Sequence, residues 1–247
     1  MLKLKVIACD VLKREIAWLG SRSRCFVDVS YLPQGLHATP DILRTRLSEE
    51  IELANRGFPY NHYGSQPAYD YILLVYGLCD NSIVGLKSEK VPLVVPRAHD
   101  CVTLLLGSRQ LYGEMFYGHP GIYWYSRGWI ECSLQPGEER YTNTYASYVE
   151  QYGEDNADYL MEMEQGWFKS YNRAVFINWE DLGNTGYYRD YTKTCAEYLH
   201  WDYQEVEGNP CLLEKMLNGI FDEDDVLIVP DHKTINASYT GEIISCA

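Results

Sequence analysis

Short, continuously apolar runs punctuate the chain, and they set its fold class. Tyr71-Ile-Leu-Leu-Val-Tyr-Gly77 and Pro92-Leu-Val-Val-Pro96 show no polar alternation and are too short for core helices. Runs of that length bounded by turn residues read as strands buried on both faces, as in a parallel sheet covered by helices. Leu4–Ala8, Ala174–Asn178 and Asp225–Pro230 read the same way, and Cys25–Tyr31 alternates as a further strand. Helical periodicity fills the intervals. Leu43, Leu47, Ile51 and Ala54 share one face of a helix with Thr39 as N-cap, Pro40 in its first turn and Gly57 as its stop. Further helices are expected over about 100–111, 187–199 and 210–218, and through an acidic stretch over 144–170 broken near Gly153. Residues 58–69 read as a polar, aromatic loop, and Tyr123–Glu131 as an aromatic strand or loop lying over the strand ends. The expected fold is α/β, with a Rossmann-like open, mostly parallel sheet. The echo between 92–96 and 225–230 points to two similar α/β halves. One half spans 1–131 and carries the Cys/His motifs; the other, 132–247, is acidic.

At 247 residues the chain is long enough to bury roughly 70% of the surface its unfolded form exposes, so a core needs no disulfides. Charge is uneven. Residues 1–127 carry 14 Lys/Arg against 12 Asp/Glu, whereas 128–247 carry 7 against 23. That second half would repel phosphate backbones, which argues against nucleic acid as a partner. No apolar run approaches the ~20 residues of a membrane span. Val6-Ile-Ala-Cys9 has the outline of a lipoprotein cleavage site, but the preceding segment is short and lysine-interrupted. The expected location is cytoplasmic, where eight cysteines read as thiols or metal ligands rather than a disulfide framework. The 22 tyrosines suit interfaces and pocket walls.

Ligands of open α/β sheets sit outside the carboxyl ends of the strands. Cys9, Cys79, His99 and Cys101 each follow an apolar run and should fall there. Thiolate and imidazole are zinc ligands, and alternate residues of an extended loop, here His99 and Cys101, can face one ion. A start at a helix N-terminus would favour the Cys101 thiolate. Cys9, Cys79 and Cys101 alone would equally hold three irons of a 4Fe–4S cluster, leaving the fourth for substrate. His99 beside Cys101 inclines the reading to zinc. His37, Arg97, Asp100, Arg127 and Trp129 are candidate substrate-binding residues; the arginines offer planar forks for a carboxylate or phosphate. Gly77–Gly85 has the backbone freedom for close ligand approach but no nucleotide-binding glycine pattern. Cys25, Cys132, Cys195 and Cys211 read as packing, and Cys246 belongs to the tail.

Several of these motifs carry a resemblance. Ala8-Cys9, Leu36–Pro40, Tyr76–Gly85, Pro96–Ser108 and Gly128–Glu131 resemble a family catalogued as a domain of unknown function, number sixteen-thirty-eight, over roughly residues 5–131. Members of that family look typical of strict anaerobes and methanogens, often beside corrinoid-dependent methyl-transfer systems. The resemblance therefore implies one-carbon metabolism, with a corrinoid, a corrinoid protein or a methyltransferase as possible company. Locally, His99-Asp100-Cys101 is similar to the His-x-Cys zinc pair of methylcobamide:thiol methyltransferases, although Cys9 and Cys79 lie upstream of the pair. Three functions follow as alternatives: a metal-dependent methyl-group transferase or its accessory protein, a small-molecule or corrinoid binding module, and an acidic subunit of a methyltransferase complex.

Overall fold

The computed structural model describes residues 1–57, 69–239 and 241–247. Its contacts form two compact units, Met1–Tyr112 with Asn209–Ala247, and Gly113–Gly208. Charge and motif content draw a boundary at 131; contacts draw it at 112 and again at 208. The chain's last segment belongs to the first unit because it supplies that unit's sheet with a strand.

In the first unit, β1 (Lys3–Cys9), β2 (Phe26–Leu32), β3 (Tyr71–Val75) and β4 (Leu93–Pro96) are mutually parallel, and β8 (Val226–Val229) closes the edge antiparallel to β4. The order is β2-β1-β3-β4-β8. The two sequence runs that echo each other are thus neighbours in one sheet. The first is buried throughout Leu93–Pro96, whereas the second, at the sheet's edge, buries Val226 and Val229 and leaves Ile228 exposed. The chain leaves β1 toward β2 on one side and returns to β3 on the other, which makes the β1/β3 boundary a topological switch point. Leu4, Val6, Ile7 and Ala8 are buried; so is Lys5, whose ammonium pairs with Asp28 at 2.9 Å. That pairing lets a lysine sit inside an otherwise apolar strand.

Helix α2 (Pro40–Asn55) lays Leu43, Leu47, Ile51 and Ala54 on the cluster containing Ile7, Ile72, Leu74, Leu93 and Val95. Each large side chain so buried contributes roughly 1.5–3 kcal/mol. The helix expected over 100–111 is two helices, α3 (Cys101–Leu106) and α4 (Arg109–Gly118), parted by Gly107 at φ +66°. A side chain at Gly107 would also strike the Asn209 carbonyl, 2.4 Å from its Cβ position. Two helices (α1, Lys13–Gly20; α9, Cys211–Leu217) and a hairpin of β9 (Ile235–Ala237) with β10 (Ile244–Cys246) complete this unit. The loop expected over 58–69 lies outside the described residues except for Tyr69, which is buried and donates to Asp28.

The second unit is built on three parallel strands, β5 (Ile122–Tyr125), β6 (Arg173–Asn178) and β7 (Asp202–Glu207), in the order β5-β6-β7. The expected aromatic segment Tyr123–Glu131 is divided between β5 and helix α5 (Arg127–Cys132) of this sheet. The acidic stretch becomes α6 (Glu138–Tyr152) and α7 (Glu154–Gln165), broken at Gly153, φ +81°. Helix α8 (Thr185–Leu199) packs Tyr188 and Ala196 against Tyr125, Ala174 and Phe176. Both units are therefore α/β structures built mainly on parallel strands, with different strand orders. No described helix is long and apolar enough to cross a membrane.

Candidate functional site

Three parallel neighbours, β1, β3 and β4, release their chains on one edge of the first sheet. Cys9 is the last residue of β1, Cys79 follows β3 by four positions, and Cys101 opens α3 just after β4. The extensions of β3 and β4 stay zipped together: Leu78 donates to the Ala98 carbonyl at 2.8 Å and Cys79 to that of His99 at 3.0 Å. Gly77 permits the approach, since a Cβ there would lie 2.5 Å from the Asp100 nitrogen. The edge includes the switch point between β1 and β3, where open α/β sheets leave a crevice.

Cys79, Asp80 and Asn81 occupy the left-handed region consecutively, with φ of 44°, 54° and 64°. Asparagine and aspartate tolerate that conformation; a cysteine is strained in it. The turn is held from outside, by Ser82 donating to the Leu78 and Cys79 carbonyls and Arg44 to that of Asn81 at 3.0 Å. Strain retained in this way fixes the direction in which Cys79 leaves the backbone.

Tyr76 lies among the thiols. Its side chain is buried, and its hydroxyl has no hydrogen-bond partner among the described residues. Burial, and then the charges of Cys9, Cys79, Asp10 and Cys101, push this phenol far above the ordinary tyrosine range. Burial likewise pushes Cys9 up to about 12, with Asp10 and Cys79 adding to it. Cys79 is also pushed up to about 12, by burial and then by Asp100 and Asp80. Among the described residues no cation offsets these effects, so the two thiols are poor nucleophiles on their own. Coordination to a metal is what deprotonates a thiol in such surroundings.

Cys9, Cys79 and Cys101 thus all lie within electrostatic reach of Tyr76, and Cys9 and Cys79 within reach of each other. His99 is on the same loop, exposed, with its ring 6.4 Å from that of Tyr112. Among the described residues, no three His, Cys, Asp or Glu side chains are gathered tightly enough for a single ion. Asp100 caps α3: one carboxylate oxygen accepts from Val102 and Thr103 at 3.0 and 3.3 Å, the other from the Tyr112 hydroxyl at 2.8 Å. Burial raises its pKa, and these donors oppose the rise. Arg97 is spent on the chain's end, bonding the carbonyls of Glu223, Glu242 and Ile244 at 2.7–3.0 Å and the Glu242 carboxylate. His37 is exposed in a short 3₁₀ turn, with its ring nitrogen on the Gln34 carbonyl.

Arg127 and Trp129 belong to the second unit. Arg127 is buried there, bonded to the carbonyls of Gly183 and Trp179 and to the Thr185 hydroxyl, and it lies over the Tyr188 ring at 5.1 Å. It fastens the loop between β6 and α8. Trp129 is half-buried in α5 and accepts through its carbonyl from Gln135 at 2.8 Å. Tyr76 and Asp10 are the site's neighbours that sequence reading missed. The available signal was position: Tyr76 ends the same apolar run that delivers Cys79, and Asp10 adjoins Cys9.

No curated protein and no solved structure matches the chain. A family model does, over residues 31–217, a span that takes in Cys79, His99 and Cys101 and continues through the second unit. The likeness seen in the N-terminal motifs therefore extends past residue 131. The chain belongs to the family described as "Protein of unknown function (DUF1638)".

Proposed function

We propose that the carboxyl edge of the first sheet holds an iron–sulfur cluster on Cys9, Cys79 and Cys101, with one iron left for an outside ligand. The observation that carries this reading is the buried Tyr76 hydroxyl, which has no hydrogen-bond partner among the described residues and feels the charges of three cysteines. A buried donor with no acceptor costs on the order of 1–3 kcal/mol, and a sulfur-rich group between the cysteines would satisfy it. Burial supports a cluster over zinc: Cys9, Cys79 and Cys101 are half-buried, whereas His99, the nitrogen ligand of a zinc site, is exposed. A cubane draws on the three thiolates alone and gives each its own iron.

When bound, such a cluster supplies one-electron chemistry and, at its open iron, a Lewis acid. The protein supplies the rest: three thiols from three strand ends, a strained turn aiming one of them, and a phenol that remains protonated. The family's company of corrinoid-linked methyl transfer would make the natural partner a corrinoid protein or methyltransferase.

The test is purification without oxygen, followed by iron, sulfide and zinc analysis of wild type, Cys79→Ser and His99→Ala. About four irons and four sulfides per chain, kept in His99→Ala and lost in Cys79→Ser, is the expected result. Near-stoichiometric zinc that falls with His99→Ala would replace this reading with a zinc site. Neither metal in freshly purified protein would overturn both.

A further inference from the structure

The second unit contains a cavity that the thiol site does not use. Its volume is about 550 Å³, within the size range of small-molecule sites. It opens at the amino ends of two strands: Tyr171 and Asn172 directly precede β6, and Trp201 directly precedes β7. Ligands of parallel sheets usually sit at the opposite edge, so fold alone does not account for it.

The walls are aromatic. Tyr141, Phe168, Tyr171, Tyr198 and Trp201 line the cavity, and Tyr123 packs against both Tyr171 and Trp201, with centroids 5.4 and 5.8 Å away. That support holds the wall in place before any ligand arrives. Tyr198 is nevertheless 39% exposed. A monomeric surface gains nothing by leaving such rings in a wet concavity.

Between the rings stand Gln165, Lys169, Asn172 and His200. None of their side chains has a hydrogen bond or ion pair among the described residues. The backbone of Asn172 is committed, donating to Gly121 at 2.9 Å and accepting from Asp202 at 2.9 Å, so its amide is presented from a fixed position.

We propose that this cavity binds a neutral saccharide. The charge distribution disfavours other classes. The unit carries 17 Asp/Glu against 6 Lys/Arg, a field that repels anions. A cation would meet the Lys169 ammonium in the wall, and Arg140 already lies over the adjoining Trp167 ring at 5.7 Å. A purely apolar ligand would strip water from Gln165, Lys169, Asn172 and His200, three of them exposed, and return no hydrogen bond. A flat heteroaromatic ring favours a slot between parallel faces. Here the wall pairs are inclined, at 84° for Phe168–Trp201, 43° for Tyr171–Trp201 and 54° for Tyr141–Tyr198. A puckered sugar ring has C–H faces for inclined aromatics and hydroxyls for the amides, lysine and histidine, and it carries no charge.

The experiment titrates the full chain with maltose, cellobiose, lactose and diacetylchitobiose, reading tryptophan fluorescence, with choline and indole-3-acetate as cationic and planar anionic comparators. At least one disaccharide should give a saturable change. Tyr198→Ala should weaken that binding by about fivefold or more, the loss of one aromatic contact. Tyr159→Ala, which removes an exposed ring of the same unit outside the cavity wall, should alter it by less than about twofold. Thermal melts check that Tyr198→Ala folds; Gln165→Ala, on a partly exposed side chain, is the second variant and should also weaken binding. No saturation with any disaccharide, tighter binding of choline or indole-3-acetate, or binding unchanged in both Tyr198→Ala and Gln165→Ala would overturn the proposal. These outcomes are independent of metal content, so this proposal and the cluster reading can fail separately.

Discussion

The two units share a plan, parallel strands with helical crossovers, and dress opposite edges of their sheets. The first collects cysteines at its carboxyl edge, beyond β1, β3 and β4. The second collects aromatic side chains at its amino edge, ahead of β6 and β7. Of 22 tyrosines and 6 tryptophans, the second unit holds 14 and 5, and its net charge is −11 against −3 for the first. The carboxyl edge of the first sheet has a topological switch point, where crossovers diverge and leave a crevice. The second sheet runs β5-β6-β7 in one direction and has no switch point of that kind. Strand order, rather than α/β class, thus tells which edge is open, and sulfur or aromatic rings tell what it can receive.

The sharpest way to break this contrast is to remove one sulfur from each unit. Cys101→Ser should abolish most of the bound iron, because one of three thiolate ligands is gone. Cys195→Ser removes a buried sulfur that touches Tyr125 and Tyr191. It should cost roughly 1–3 kcal/mol as a packing defect and leave iron content unchanged. Equal metal content in the two variants would remove the distinction between the units.

Two glycines offer a second comparison. At Gly77 an added methyl would lie 2.5–2.7 Å from the backbone of His99 and Asp100. Backbone cannot step aside, so Gly77→Ala should lower stability by about 3–4 kcal/mol and prise apart the extensions that carry Cys79 and Cys101. At Gly137 the nearest atom is the Cys195 sulfur, 2.8 Å away. A side chain can yield, and Gly137→Ala should cost about half as much. Urea midpoints decide the matter; a smaller loss at Gly77 would mean that the zipper between the β3 and β4 extensions is looser than its hydrogen bonds indicate.

The buried arginine of the second unit comes next. Arg127→Lys keeps the charge but cannot reproduce three bonds fanned toward Gly183, Trp179 and Thr185. A cost of about 2–3 kcal/mol is expected. Arg97→Lys in the first unit should cost less, since its carboxylate partner Glu242 is 60% exposed and water can replace that bond. Melting curves of the two variants would reverse the ranking if Arg127 served a ligand instead of the loop after β6.

Much of the first sheet was legible because its strands are buried on both faces and therefore uniformly apolar. Helix α2 was equally plain, with one apolar face, a proline start and a glycine stop. Strand β7 was missed because Asp202-Tyr-Gln-Glu-Val-Glu207 is half-buried and mostly polar. The break at Gly107 was missed because a glycine is also tolerated inside a helix, and only the fold shows its φ of +66° and the Asn209 carbonyl packed against it. That Cys9, Cys79 and Cys101 leave one edge of the first sheet followed from counting strand ends. The roles of Arg97 and Arg127 did not, since sequence shows an unspent guanidinium and only packing shows which carbonyls consume it. Tyr76 looked like the last core residue of a strand; its hydroxyl became informative once it had no hydrogen-bond partner among the described residues.

The smallest expected effect is electrostatic and confined to the second unit. Arg189 grips Glu205 with two bonds, 2.6 and 2.7 Å, and Tyr203 donates to the same carboxylate at 3.0 Å. These bonds, Arg189 first, hold the Glu205 carboxyl below its ordinary value of 4.5. A carboxylate depressed on folding contributes stability that is fully present above the unfolded pKa and is lost as pH falls through the folded one. Wild type should therefore lose more stability than Glu205→Gln between about pH 5 and pH 3. At neutral pH the two should differ only slightly, because the side chains are 34% and 26% exposed and solvent screens them. The first unit's ion pair, Lys5–Asp28, is far more buried, at 6% and 19%, so its loss should be felt at neutral pH. Five of the six tryptophans lie in the second unit, so fluorescence-detected urea unfolding reports mainly there. An identical acid-side decline in wild type and Glu205→Gln would show that the Arg189 pair adds nothing, and that this unit tolerates its surplus of carboxylates without it.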